Sequence, residues 1–165
     1  MSEILGKAFL QNESERWKID NGNALMIFIV RLAQTCLSMR CPFAFGNPEL
    51  SYLWFTDEMI QLASNKHVRA ARADFCLDGT PWKKPTTFLC GFCDVATIDA
   101  ACHGRCCKRS GKKHVLLQGV DPSSGKFWTA VAEPYPRPLC TRLVSMLSSA
   151  RMSLKRQHLG KLLQF

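Results

Sequence analysis

A chain of 165 residues with 47% hydrophobic and 21% charged content is long enough for one domain with a real core, which excludes wholesale disorder. Its net charge of +9 argues for an anionic partner, nucleic acid above all, because Lys and Arg displace condensed counterions from phosphate; a merely soluble basic surface is the bland alternative. The longest apolar run, Ala24 to Val30, stops at Arg31, far short of the roughly 20 residues that cross a bilayer, so no membrane partner is expected.

Residues 1–22 read as an N-terminal arm, with Met1-Ser2-Glu3-Ile4 lacking the basic start and apolar core of a secretory leader. Asp20 to Asn23 offers side-chain oxygens that cap a helix. Leu25, Phe28, Leu32, Cys36 and Met39 recur at intervals of three and four, which predicts an amphipathic helix over 24–39 with this stripe against a sheet. Cys41 to Phe45 is a strand that Pro48 stops. Thr56-Asp57-Glu58 opens a helix through Met59, Ile60, Leu62 and Ala63, where acids suit the N-terminal dipole, and Ser64-Asn65-Lys66 ends it. Val68 to Phe75 and Thr86 to Leu89 follow as strands, separated by the turn Gly79-Thr80-Pro81. His114 to Gln118 and Phe127 to Val131 read as a hairpin around Asp121 to Gly125. Pro138 suits the first turn of a helix carrying Leu139, Cys140, Leu143, Val144 and Leu147. Residues 150–165 form a basic amphipathic tail, with Arg151, Lys155, Arg156, His158 and Lys161 beside Met152, Leu154, Leu159, Leu162 and Leu163.

Nine cysteines, an odd number, point to free thiols or a metal site in an intracellular, cytoplasmic or nuclear, protein before a disulfide framework. Most fall in a Cys-rich loop over 90–114. Cys90 and Cys93 form a Cys-x-x-Cys pair, and Cys102, His103, Cys106, Cys107 and His114 follow. Tetrahedral zinc needs four ligands, usually as two close pairs, and Cys90, Cys93, Cys102 and Cys106 or Cys107 meet that pattern. Cys90 also ends an apolar strand, where a thiol serves as a small core residue. A redox pair is the weaker reading, since no helix is predicted to open after Cys90. Arg105, Lys108, Arg109, Lys112 and Lys113 surround these thiols and make the loop attractive to phosphate. A second basic turn, Trp82-Lys83-Lys84, places two cations and a flat aromatic where a phosphate backbone and a stacked base would fit. Equally, Trp82 packs onto the sheet and the lysines are solvated.

Three short segments resemble one family. Phe45-Gly46-Asn47-Pro48, then Asp78-Gly79-Thr80-Pro81 running into a strand, then Glu133-Pro134-Tyr135-Pro136-Arg137-Pro138 resemble the C-terminal half of cytosine-C5 DNA methyltransferases, in particular divergent members from phages, large viruses and mobile elements. The resemblance covers roughly Asn23 to Leu147. It implies an α/β fold, an incomplete doubly wound, Rossmann-like methyltransferase sheet over 23–149 with a Cys-rich insertion and C-terminal helices. It also implies S-adenosylmethionine as cofactor near Asn47 and Pro48, and DNA as partner. The family's loop acid falls at Gly46, the Pro-Cys nucleophile loop has no counterpart, and no Gly-x-Gly turn precedes residue 42. The expectation is therefore a degenerate, inactive methyltransferase-like domain, with no catalytic residue assigned. The alternative is a basic, zinc-stabilised nucleic-acid-binding module without chemistry.

Overall fold

The computed structural model describes residues 13–162, with side chains from 16 to 157. The expected arm at 1–22 falls partly outside that range; its described part belongs to helix α1, which runs without interruption over Glu13–Ser38. Strand β1 (Phe43–Pro48), helix α2 (Asp57–Ala63), and strands β2 (Val68–Asp74) and β3 (Pro85–Gly91) follow. A one-turn helix α3 (Trp128–Val131) and the long helix α4 (Arg137–Leu162) are the last of the described elements. The expected basic tail is the second half of α4 rather than a separate element, and its side chains beyond residue 157 lie outside the described ones.

The fold is mixed α/β, but its sheet corrects the expectation of a doubly wound one. The described residues form one three-stranded sheet in the order β1-β3-β2, with β3 antiparallel to both neighbours. Phe43 and Val68 both stand opposite Gly91, so β1 and β2 run in the same direction with β3 inserted between them. The unit β1-α2-β2 is thus a crossover connection split by a third strand, whereas a doubly wound sheet needs parallel neighbours. Strand β3, at the centre, is the most buried of the three, with Thr86, Phe88, Leu89, Cys90 and Gly91 all buried.

Each face of the sheet carries its own core. On one, Leu89, Val68, Phe43 and Phe45 meet Met26, Val30 and Ala33 of α1 and Met59 and Leu62 of α2. On the other, Phe88, Cys90, Ala71 and Ala73 meet Leu139 and Met146 of α4. Helix α1 was expected to bury Leu25, Phe28, Leu32 and Met39, yet these stay 51–73% exposed. Met26, Val30, Ala33 and Leu37, also three and four apart but on another face of the helix, pack with Phe43 and Phe45 instead.

Beyond β3 the chain is irregular up to α3, with a short turn of 3-10 helix at Val95–Thr97 and isolated bridges. The expected hairpin is reduced to the single bridge Val120↔Phe127 around a turn that Asp121 closes by accepting hydrogen bonds from Ser123 and Ser124. Residues 128–131 are helical instead of extended.

Candidate metal centre

At its end β2 runs into a 3-10 turn, Phe75–Asp78, which places Cys76 inward; Gly79 terminates the turn at φ 100°, a conformation that favours glycine. The chain returns to the same edge after β3. Ala100 N–H donates to the Arg72 carbonyl at 2.7 Å and Asp74 N–H to the Ala100 carbonyl at 3.0 Å, so residue 100 extends the sheet beside β2. The Asp74 carboxylate, fully buried, then accepts the Cys102 N–H at 2.6 Å. Residues 105–114 form a narrow ribbon, with Cys106 bridged to Lys113, Cys107 N–H donating to the Lys112 carbonyl at 2.7 Å and His114 N–H to the Arg105 carbonyl at 3.1 Å. Val115 N–H, donating to the Pro81 carbonyl at 2.9 Å, anchors the outgoing strand.

These anchors converge. The sulfurs of Cys76, Cys102 and Cys107 and a ring nitrogen of His114 all lie within 4.8 Å of one another, with the cysteines buried and the histidine half-buried. Four ligands at zinc bond lengths of about 2.3 Å to sulfur stand roughly 3.8 Å apart on a tetrahedron, so this set could hold a metal ion with little movement. Two details suit a metal-thiolate site. Lys108 N–H points at the Cys102 sulfur at 3.3 Å. The turn after Cys107 aims the Ser110 and Arg109 amides and the Ser110 hydroxyl at its sulfur, holding that thiol down at about pH 6. Cys76 moves the other way, pushed up by burial and by the crowding thiols of Cys102 and Cys107. A divalent cation relieves this crowding by taking the place of the protons.

The set differs from the one that spacing suggests: Cys102 is common to both, Cys107 rather than Cys106 takes the position that spacing left open between them, and Cys76 and His114 stand in place of Cys90 and Cys93. Cys90 lies in the core under α4, where burial pushes its thiol up to about 12. Cys93 is buried beside it, with its sulfur 3.1 Å from the Gly91 carbonyl oxygen. Cys106 is exposed on the outer side of the ribbon. Cys76 was missed because it stands 26 positions before Cys102, outside the Cys-rich segment; it is joined to that segment only through the sheet edge. Spacing offered Cys107 as the alternative to Cys106, and His114 was visible as a neighbour of the cluster, without a spacing that selects it.

The Trp82-Lys83-Lys84 turn is occupied internally. Trp82 packs against the α4-side core and against Trp128 at 6.1 Å between rings. Lys83 pairs with Asp74 at 3.9 Å. Lys84 donates to the Ala132 carbonyl at 2.6 Å and lies over the Phe75 ring, with φ 32° sustained by that anchor. By contrast Arg105, Lys108, Arg109, Lys112 and Lys113 are all exposed on the ribbon, and among the described residues only Arg109 of these five makes a side-chain hydrogen bond, to the Leu77 carbonyl at 3.0 Å.

At the family-like loop, Asn47 donates to the Ser51 hydroxyl at 2.8 Å and the Pro48 carbonyl accepts from the Trp54 ring N–H at 2.9 Å. A Cβ at Gly46 would stand 2.5 Å from the Phe88 ring and 2.8 Å from the Tyr135 hydroxyl. Position 46, which the resemblance would align with an acid, therefore has no room for a side chain, and nothing in the arrangement lends S-adenosylmethionine support. Comparison with protein-family models, with curated proteins and with solved structures returned no match.

Proposed function

We propose that this chain is a zinc-stapled module that binds nucleic acid through the basic ribbon 105–114 and performs no chemistry of its own. The observation that carries the reading is the Cys76, Cys102, Cys107 and His114 set at the root of that ribbon. Three thiols and one imidazole match the ligand preference of zinc, and a site with all four positions taken by protein is of the structural kind, without an open position for substrate. The staple joins the irregular segment 99–116 to the turn after β2. Arg105, Lys108, Lys112 and Lys113 then project from a fixed base, and no acid occurs between Asp99 and Asp121 to oppose a phosphate backbone. Ancestry shared with DNA methyltransferases is compatible with this reading as a lost activity, and no step through S-adenosylmethionine is derived from it.

The test joins metal content to binding. Purified protein should carry about one zinc per chain, and a labelled oligonucleotide should bind with an affinity that falls steeply with salt. Replacing Arg105, Lys108, Lys112 and Lys113 with Glu should abolish binding and leave the zinc in place. Metal-free protein of native fold, or unchanged binding by the quadruple variant, would overturn the proposal.

A further inference from the structure

Helix α1 ends in a turn that brings two thiols together. Arg40 N–H donates to the Leu37 carbonyl at 3.2 Å and Cys41 N–H to the Cys36 carbonyl at 2.7 Å, while Arg40 itself is left-handed at φ 51°. This is a Schellman cap, in which the residues joined by the longer-range bond commonly touch through apolar side chains. Here both are cysteines. A carbonyl oxygen lies about 2.4 Å from its own α-carbon and an amide nitrogen about 1.5 Å from its own, so the short bond keeps the two α-carbons inside the roughly 4.4–6.8 Å that a disulfide spans. Cys41 is exposed and Cys36 half-buried. Burial pushes the Cys36 thiol up and the adjacent Cys41 thiol pushes it further, as two neighbouring sulfurs should. The pair stands apart from the candidate metal centre, since it precedes the start of β1 at the Gly91 end of the sheet and Cys76 follows the far end of β2.

We propose that Cys36 and Cys41 are a redox-active modification site, which small-molecule disulfides of the glutathione class oxidise to a reversible intramolecular disulfide. The Cys41 thiolate attacks one sulfur of the oxidant, forming a mixed disulfide and expelling one small thiolate. The Cys36 thiolate then attacks the Cys41 sulfur, forming the Cys36–Cys41 bond and expelling the second. The two protons given up by the protein thiols pass to the two leaving thiolates, so the protein loses two electrons and the small disulfide becomes two thiols. Exposure fixes the order: Cys41 meets the oxidant and Cys36 resolves the mixed disulfide. The new bond closes a ring over Leu37 to Arg40 and ties the end of α1 to the segment that enters β1.

The test equilibrates the full-length chain, as purified, with reduced and oxidised glutathione at a series of ratios, then quenches with acid, alkylates and maps the peptides by mass spectrometry. One internal link is expected, Cys36 to Cys41, reversed by dithiothreitol and formed without change in bound metal. Cys36→Ser should accumulate at least about ten times the wild-type level of glutathione on Cys41, because the resolving thiol is gone. Cys41→Ser, a substitution at an exposed position, should slow oxidation of Cys36 at least about ten-fold and so tests the order of attack even should Cys36→Ser fail to fold. Thiols 36 and 41 that stay reduced in oxidised glutathione alone would overturn the proposal. So would a link from Cys41 to Cys93, whose sulfur lies 3.8 Å from the Phe43 carbonyl oxygen, or as much mixed disulfide on Cys41 in wild type as in Cys36→Ser.

Discussion

The Asp74 carboxylate accepts the Cys102 amide at 2.6 Å while Arg72 and Lys83 approach it from the solvent side at 3.3 and 3.9 Å. Through this one buried acid the sheet edge sets the position of a candidate metal ligand, and Arg72 links it onward to Glu49 at 2.7 Å, just past β1. Asp74→Ala should lower zinc affinity about 10- to 100-fold in a competition titration with a chromogenic chelator. An affinity equal to wild type would mean that Cys102 is positioned without it.

The order in which the nine thiols react separates the two ligand sets. In zinc-loaded protein, alkylation followed by peptide mass spectrometry should find exposed Cys41 and Cys106 labelled first. Cys76, Cys102 and Cys107 should react only after chelation, and Cys90 and Cys93 only on unfolding. Joint protection of Cys90, Cys93 and Cys106 by zinc would restore the set suggested by spacing.

Arg142 holds α4 to the turn that carries Cys76. It contacts both oxygens of buried Asp78, at 2.7 and 2.8 Å, and donates to the Thr97 carbonyl at 2.7 Å. Arg142→Ala leaves that carboxylate buried and unpaired, and should cost about 3 kcal/mol in urea denaturation.

Alkaline stability should report on Cys90. Its thiol lies at about 12 in the folded chain, pushed up from its ordinary 9.0 by burial and by the neighbouring Cys93. The stabilising contribution of the neutral thiol is therefore fully present below about pH 9 and is lost as pH rises toward 12. Zinc-loaded wild type should lose about 1.4 kcal/mol more per pH unit in that window than Cys90→Ala. Parallel pH profiles would refute the assignment.

Gly46→Glu places an acid at the loop position where the family that this segment resembles would carry one. The new side chain meets Phe88 and Tyr135, so a loss of about 1–3 kcal/mol in stability is expected, without any S-adenosylmethionine binding by calorimetry. A stable variant that binds the cofactor would favour the enzyme reading.

Local elements were legible because their causes are local. Pro48 ends β1 and Thr56-Asp57-Glu58 opens α2 where the residues indicated, and β2 and β3 begin within one residue of the expected places. Choices that depend on a distant surface were not. Two stripes on α1 carry the same helical spacing, and contact with Phe43 and Phe45 selected Met26, Val30 and Ala33. Strand order is equally invisible in a single strand's pattern, and burial of β3 on both faces decided it.

Composition and order along the chain by themselves determined an α/β domain, an excess of positive charge concentrated between Asp99 and Asp121, and more thiols than a core requires. Tertiary structure alone decided which thiols meet. Cys90 and Cys93 are close in sequence, yet strand β3 commits Cys90 to the core and Cys93 is buried beside it. Cys76 is distant in sequence, and the pairing of residue 100 with the edge of β2 brings it to Cys102. A metal responds to distances between ligand atoms, and here backbone hydrogen bonds across the sheet edge set those distances, which spacing along the chain does not encode.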